Sequence, residues 1–261
     1  MWGKKMREKF IVFDIDGTLL TTEMKFLDST KQALVSLKES GHEIVIATGR
    51  DYTSAISIVD ELEIDTYVLC NGSVGFVRHE IAHEEIFSKE SILKLIEIAI
   101  ENNDQIVFQT LKGVKRHFEE PGDSLTKAYE SLGLIIPDFD EMYWKENSII
   151  QAMLFCKNED LHKYDINEFR YVSWHQFGSD VIPKEGSKAK TILKIAKENG
   201  FKQEDIVFFG DGMNDIELME LSGIGVAMGN AETAVKEKAN LITDSCNEHG
   251  IYNALKKMLL I

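Results

Sequence analysis

Six short stretches of this chain are apolar almost without interruption: FIVF (10–13), EIVIAT (43–48), TYVLCN (66–71), DIVFFG (205–210), GIGVAM (223–228) and ANLITD (239–244). No other feature limits the fold as strongly. Side chains along a strand point to opposite faces in turn, so a strand with one wet face alternates apolar and polar residues. A continuous apolar run has to be covered on both faces, as in a parallel sheet between layers of helices. Amphipathic segments lie between the runs. STKQALVSLKESG (29–41) opens on the cap-like Ser29, gathers Ala33, Leu34 and Leu37 on one side and stops at Gly41; KAKTILKIAKENG (188–200) repeats the design and stops at Gly200. This alternation predicts a doubly wound α/β core with a parallel sheet.

The middle of the chain breaks the rhythm. From about residue 76 to 182 the runs are shorter and partly alternating. FVRHEIAHEEIF (76–87) has the pattern of a hairpin and SILKLIEIAIEN (91–102) that of a helix. QIVFQT (105–110), VKRHFEE (114–120), IIQAMLFC (149–156) and FRYVSWH (169–175) have the pattern of half-exposed antiparallel strands. The α/β rhythm resumes after Pro183. The expected organisation is a core from 1–80 and 184–261, with a second α+β domain, 81–183, inserted into it. The plainer alternative is one large irregular domain.

Composition narrows the function. With 44 acidic and 29 basic residues the formal charge is -15, which argues against a general binder of nucleic acid or of anionic membranes. An anionic substrate is still compatible, provided that a local positive device, a metal ion or a placed lysine, offsets the overall field. Cys70, Cys156 and Cys246 are odd in number and far apart, so they read as small buried residues in a reducing compartment. The opening MWGKKMREKF is basic without a long apolar region behind it, and no run reaches membrane-spanning length. The expectation is a cytoplasmic protein.

Polar residues follow the apolar runs. FIVF is followed by Asp14 and Asp16; EIVIA by Thr48, Gly49 and Arg50; TYVLC by Asn71 and Gly72; DIVFFG by Asp211, Gly212, Met213, Asn214 and Asp215. Ligands of open α/β sheets bind beyond the carboxyl ends of the strands, so four such ends on one edge make a site. Asp14 and Asp16 end the first strand two residues apart, so they face the same way and repel by roughly 3 kcal/mol at about 5 Å and an effective dielectric near 20. Water, a proton or a cation has to remove that cost. The alternative is that Asp16-Gly17 is a hairpin turn and Asp14 a solvated edge residue.

Residue types suggest the chemistry. Asp14, Asp16 and Asp211 offer oxygen ligands that suit magnesium. Thr48 could hold a phosphate oxygen, or merely cap the next helix. Lys188 could bring positive charge to the same edge, with Lys184 and Lys190 as competitors. Arg50 could contact substrate or pair with a surface carboxylate, and Asn71-Gly72 could contact ligand or only turn the chain. In the middle segment Lys112, Lys115, Arg116 and His117 could meet an anionic ligand or be a solvated strand. Trp174 and His175 could act where the inserted domain meets the core or merely pack, and His79 and His83 lack metal-like spacing.

FDIDGTLL (13–20), IATGR (46–50), EGSKAKTIL (185–193) and FFGDGMNDIELM (208–219), in that order, resemble the haloacid dehalogenase superfamily. They look most like its Cof-type phosphatase branch, whose large α/β cap is inserted between the second and third motifs. GVAMGNA (225–231) and HGIYNAL (249–255) are similar to that branch too. The resemblance implies a magnesium-dependent phosphatase of small phosphorylated metabolites, such as sugar phosphates. Asp14 would be the nucleophile, and Asp16 the general acid and base, its backbone carbonyl also a metal ligand. Asp211 would be a further magnesium ligand and Asp215 an outer or alternate one. Thr48 and Lys188 would bind the phosphate, with Gly49 and Asn214 nearby. Ala189 departs from the glycine that many relatives carry after the lysine. The resemblance also admits a phosphomutase or phosphotransferase, or a non-catalytic phosphate-binding regulator.

Overall fold

The computed structural model describes residues 7–261; the first six residues of the basic opening stretch, with which the expected segment 1–80 begins, lie outside the described residues. The chain enters through β1 (Phe10–Phe13), α1 (Asp28–Glu39), β2 (Glu43–Ala47), α2 (Tyr52–Glu61), β3 (Thr66–Leu69), β4 (Val74–Val77) and β5 (Glu80–Glu84). It continues with α3 (Lys89–Asn102), β6 (Gln105–Thr110), β7 (Gly113–Arg116), α4 (Asp123–Ser131), α5 (Tyr143–Glu146), β8 (Gln151–Phe155), β9 (Phe169–His175) and β10 (Gly178–Pro183). Last come α6 (Lys188–Glu198), β11 (Ile206–Gly210), α7 (Ile216–Leu221), β12 (Ile224–Ala227), α8 (Thr233–Lys236), β13 (Leu241–Ile242) and α9 (Gly250–Lys257).

Two compact units result. One holds residues up to Gly49, Ser57–Ala82 and Ser187–Ile261; the other holds Arg50–Ile56 and His83–Gly186.

The first unit carries an eight-stranded sheet in the order β13-β12-β11-β1-β2-β3-β4-β5. All six apolar runs are strands of it, and their pairings are parallel. Strand order reverses between β1 and β11, so their carboxyl ends flank the switch point where an open sheet leaves a crevice. Phe10, Val12, Ile206 and Phe208 pack with Ile192 and Ile195 of α6 and with Leu218 and Met219 of α7. The alternate residues Ile11 and Phe13 are just as buried, which is why these strands show no polar face. Because β1 pairs in parallel with both neighbours, Asp16-Gly17 does not join an antiparallel pair, and the hairpin reading fails. The hairpin at 76–87 does form, with Arg78 and His79 both at positive φ in its turn, but its strands β4 and β5 extend the large sheet.

Helix boundaries differ in one respect. Asp28, not Ser29, opens α1, with Leu27 at the cap position making no side-chain bond; the Asp28 carboxylate lies at the positive end of the helix. Ser29 Oγ instead lies 2.7 Å from His249 Nδ1. Ser187 caps α6 by accepting from Lys190 N at 3.2 Å.

The second unit is built on an antiparallel sheet, β7-β6-β8-β10-β9. The expectation of half-exposed strands fails for β6, whose six residues are all buried. Ile106 and Phe108 pack with Ile92 and Leu95 of α3, while Val107 packs on the other face with Leu125 and Tyr129 of α4. Its polar residues are paired inside: Gln151 donates to Gln109 at 2.7 Å and the Thr110 hydroxyl lies 2.6 Å from that of Tyr143. β7 ends at Arg116, so the strand carries Lys115 and Arg116 but not Lys112 or His117. Lys115 pairs with Asp138 at 2.8 Å, Arg116 donates to the Pro137 and Glu119 carbonyls, and His117 is buried between Phe108 and Phe118.

Phe208 is fully buried in the central strand β11. Phe208→Ala is expected to destabilise the protein by about 3–5 kcal/mol, since the cavity it opens lies in a rigid sheet. Urea unfolding followed by circular dichroism reads this directly, and a loss below about 1 kcal/mol would contradict the packing described.

Candidate active site

β1 stops at Phe13, and Asp14 still donates its N–H to the Phe209 carbonyl of β11 at 2.9 Å. The chain then turns. Gly17 has φ +73°, and Leu19 N and Leu20 N bond back to the Asp14 and Ile15 carbonyls. Asp14 is 6% exposed, whereas Asp16 is an exposed residue of the turn. The pair therefore does not share a strand face, because the strand ends before it. A side chain at Gly17 would overlap the Asp211 carboxylate, so the turn is pressed against the end of β11.

Lys188, the first residue of α6, is 2% exposed. Its Nζ donates to Asp14 Oδ1 at 2.6 Å and to Asp215 Oδ1 at 2.9 Å. Lys184 donates to Asn167 instead, at 2.7 Å. Asp215, fully buried, also accepts from the backbone N–H groups of Asp211 and Gly212 on Oδ2, both at 3.0 Å. It thereby closes the loop after β11 upon itself. Asp211 is held by neutral donors: Thr18 Oγ1 on Oδ1 at 3.2 Å and Asn230 Nδ2 on Oδ2 at 3.1 Å. One oxygen from each of Asp14, Asp211 and Asp215 lies within 4.8 Å of the others. Three crowded carboxylates against one ammonium form an oxygen-only donor set with a deficit of positive charge, which suits a hard divalent cation.

The electrostatics follow from that crowding. Burial pushes the Asp14 carboxyl well above the usual range; Lys188 opposes it, while Asp215 and Asp16 add to it. Burial and Asp215 push Asp211 up to about 6, against the Thr18 hydrogen bond. Burial works against the charge on Lys188, but Asp14 and Asp215 outweigh it and hold its pKa above the ordinary value.

A second group of expected residues meets at β3. Cys70, Asn71 and Gly72 have φ of +52°, +54° and +102°, an unusual left-handed run. Asn71 N donates to the Thr48 carbonyl at 3.1 Å, and Asn71 Oδ1 accepts from Asn214 Nδ2 at 2.9 Å. The same amide lies against Gly49, where any side chain would press on it. A side chain at Gly72 would overlap the Ser187 carbonyl, and Gly72 O accepts from Thr191 Oγ1 at 2.7 Å, so this turn seats the start of α6. Thr48 is buried, and Asp51 makes the capping bonds of α2, to Thr53 N at 2.8 Å and Ser54 N at 3.3 Å. Arg50 falls in the second unit, where its guanidinium donates to the Ser54 carbonyl at 3.1 Å. Trp174 Nε1 donates to Asp180 at 2.9 Å, His175 Nε2 lies 3.3 Å from Ser131 Oγ, and His83 lies 3.6 Å from Glu85.

Thr18 and Asn230 were not among the expected residues. Asn230 could have been found by the same reasoning that singled out the others. It follows the buried run GIGVAM, whose carboxyl end lies on the same sheet edge.

Comparison with known proteins decides the family. The profile of the haloacid dehalogenase-like hydrolases matches residues 11–255. The chain belongs to this family. The putative phosphatase YkrA of Bacillus subtilis is 33% identical over 257 residues, 98% of this chain and all of that one. The pyridoxal phosphate phosphatase YbhA of Escherichia coli is 29% identical, over 91% of this chain and 93% of its own. Among solved structures, the HAD subclass IIB sugar phosphatase BT4131 superposes with a TM-score of 0.86 at 30% identity, over 97% of this chain and 100% of its own. This haloacid dehalogenase-type protein is a Cof-type phosphatase with a parallel, doubly wound α/β core. No helix among its described residues is long and apolar enough to cross a membrane.

Asp211 supplies a pH test. Its carboxyl is raised to about 6 from an ordinary 3.8, so the folded state binds a proton more readily than the unfolded one between those values. Its ionisation therefore opposes folding, and the penalty grows as pH rises through that window. In the presence of a chelator, Asp211→Asn is expected to melt above the wild type at pH 7, with the gap closing as pH falls below about 4. Equal melting temperatures at both pH values would contradict the electrostatics described.

Proposed function

We propose that this phosphatase is a magnesium-dependent hydrolase of small phosphorylated metabolites that works through a phosphoryl group carried on Asp14. The observation that carries the reading is the contact of Lys188 with Asp14 at 2.6 Å beside Asp211, at the switch point of the sheet. Lys188 opposes the burial that raises the Asp14 carboxyl without cancelling it, and a cation at the same carboxylates would favour the ionised form that attacks as a nucleophile.

The residues divide the work as follows. An Asp14 oxygen attacks phosphorus, the bond from phosphorus to the leaving oxygen breaks, and Asp16 gives that oxygen its proton. Exposure and a place two residues on suit Asp16 to this role. Water then attacks phosphorus, Asp16 takes the proton, and the bond to Asp14 breaks to release phosphate. Lys188 balances charge on the phosphoryl oxygens, and Thr48 with the Gly49, Asn71 and Asn214 group lines their position. The magnesium ion, held by Asp14, Asp211 and the Asp16 carbonyl, would supply the positive charge that phosphoryl transfer requires. Asp215 already spends its oxygens on Lys188 and on two backbone N–H groups, so its part is to fix both. The second unit would serve as the inserted domain that selects the substrate. Relatives that act on pyridoxal phosphate and on sugar phosphates support the substrate class, without choosing a member.

A panel of phosphorylated sugars and cofactors, with released phosphate as readout, tests this. Turnover is expected to vanish with exhaustive chelation and to return with Mg2+. Asp14→Asn is expected to lower kcat by about a thousandfold or more. Full phosphate release by Asp14→Asn would sink the nucleophile assignment, and turnover that survives chelation would sink the metal requirement.

A further inference from the structure

Asn230 follows β12, and the residue is exposed, yet both N–H donors of its amide and its carbonyl oxygen are engaged. Nδ2 donates to the Gly17 carbonyl at 2.8 Å and to Asp211 Oδ2 at 3.1 Å; Oδ1 accepts from Cys246 N at 2.8 Å. One side chain thus pins three loops: the turn after β1, the loop after β11 and the segment before α9. Exposed asparagines ordinarily face water, and ordering one costs side-chain entropy that these bonds have to offset. The pattern of donors also fixes which way the amide points, since a flipped amide would set its oxygen against the Asp211 carboxylate.

We propose that Asn230 is a positioning residue that presents Asp211 to a divalent cation by holding its carboxylate with an uncharged donor. This inference rests on the magnesium reading above. Asp14 and Asp215 share the ammonium of Lys188, but the direct side-chain partners of Asp211 are neutral, Thr18 on one oxygen and Asn230 on the other. A lysine in place of Asn230 would orient the same oxygen while competing with a cation for its charge. An amide orients the oxygen and leaves the full negative charge for the ion. The Gly17 bond adds to this: by drawing the turn onto the same amide, Asn230 holds the backbone next to Asp16, whose carbonyl is the remaining proposed ligand.

Binding of Mn2+ to the full-length protein without substrate, read from the electron paramagnetic resonance of the free ion, tests the proposal. Asn230→Ala and Asn230→Ser are each expected to weaken binding by about tenfold, while melting in a chelator changes little. Asn247→Ala is the control. Asn247 ties the same loop to Thr22, through its Oδ1 and Thr22 N at 3.1 Å, without touching Asp211, so it is expected to leave Mn2+ affinity within about twofold. A wild type that binds no Mn2+ would remove the metal reading itself. A wild type that binds, with both Asn230 variants binding equally well, would overturn this proposal alone. An equal loss in Asn247→Ala would also overturn it, since loosening of the loop would then explain everything.

Discussion

Lys188 ties the molecule's chemistry together. Its ammonium meets Asp14, 174 residues away in the chain, and Asp215, 27 residues away, with almost no water around it. A buried ion triplet of this kind is a poor source of net stability, because taking three charges out of water costs about as much as their attraction returns. Its consequence is geometric. The end of β1, the start of α6 and the loop after β11 have to converge before any of the three charges is satisfied. Removing the lysine would leave two carboxylates buried together, a loss of about 3–5 kcal/mol and of the ammonium that both carboxylates contact.

Around that triplet, the backbone does much of the positioning. The left-handed run Cys70-Asn71-Gly72 is conformationally costly, and it is held by Thr48, Asn214 and Thr191. Gly17 and Gly72 are glycines because the chain passes too close to Asp211 and Ser187 for a side chain. The overall charge of -15 sets the problem that this local arrangement addresses. An anionic substrate approaching so acidic a protein needs a small region where positive charge and N–H donors prevail.

Much of this was legible in the sequence, and for a physical reason. Buried parallel strands leave an unbroken apolar signature, so all six runs are strands, and the residues just past their ends fall on one edge. Asp14, Asp211 and Asp215 could be placed together on that basis, whereas Lys188, at the start of a helix, is singled out from Lys184 and Lys190 only by the family resemblance. What depends on turn geometry could not. Nothing local says that β1 stops at Phe13, so the sequence predicts for Asp14 and Asp16 a shared strand face that the structure does not have. Ser29 has the right chemistry for a helix cap, but Asp28 one residue earlier opens the helix. In the second unit the signal is weaker, because Gln109 and Gln151 satisfy each other across strands and Thr110 pairs with Tyr143 of α5, which makes buried strands look half wet. Arg116 and Lys115 likewise look solvated in sequence but find partners 20 or so residues away that periodicity does not reveal.

The central claim is that Asp14 carries the phosphoryl group. The most direct test is rapid acid quench of the protein during turnover of its fastest substrate in Mg2+, followed by mass spectrometry of the peptide that contains FDIDGTLL. The account predicts a transient added phosphoryl mass on Asp14, labile to hydroxylamine and absent from Asp14→Asn. Steady turnover with no phosphorylated protein at any quench time, or with the group on another residue, would contradict it.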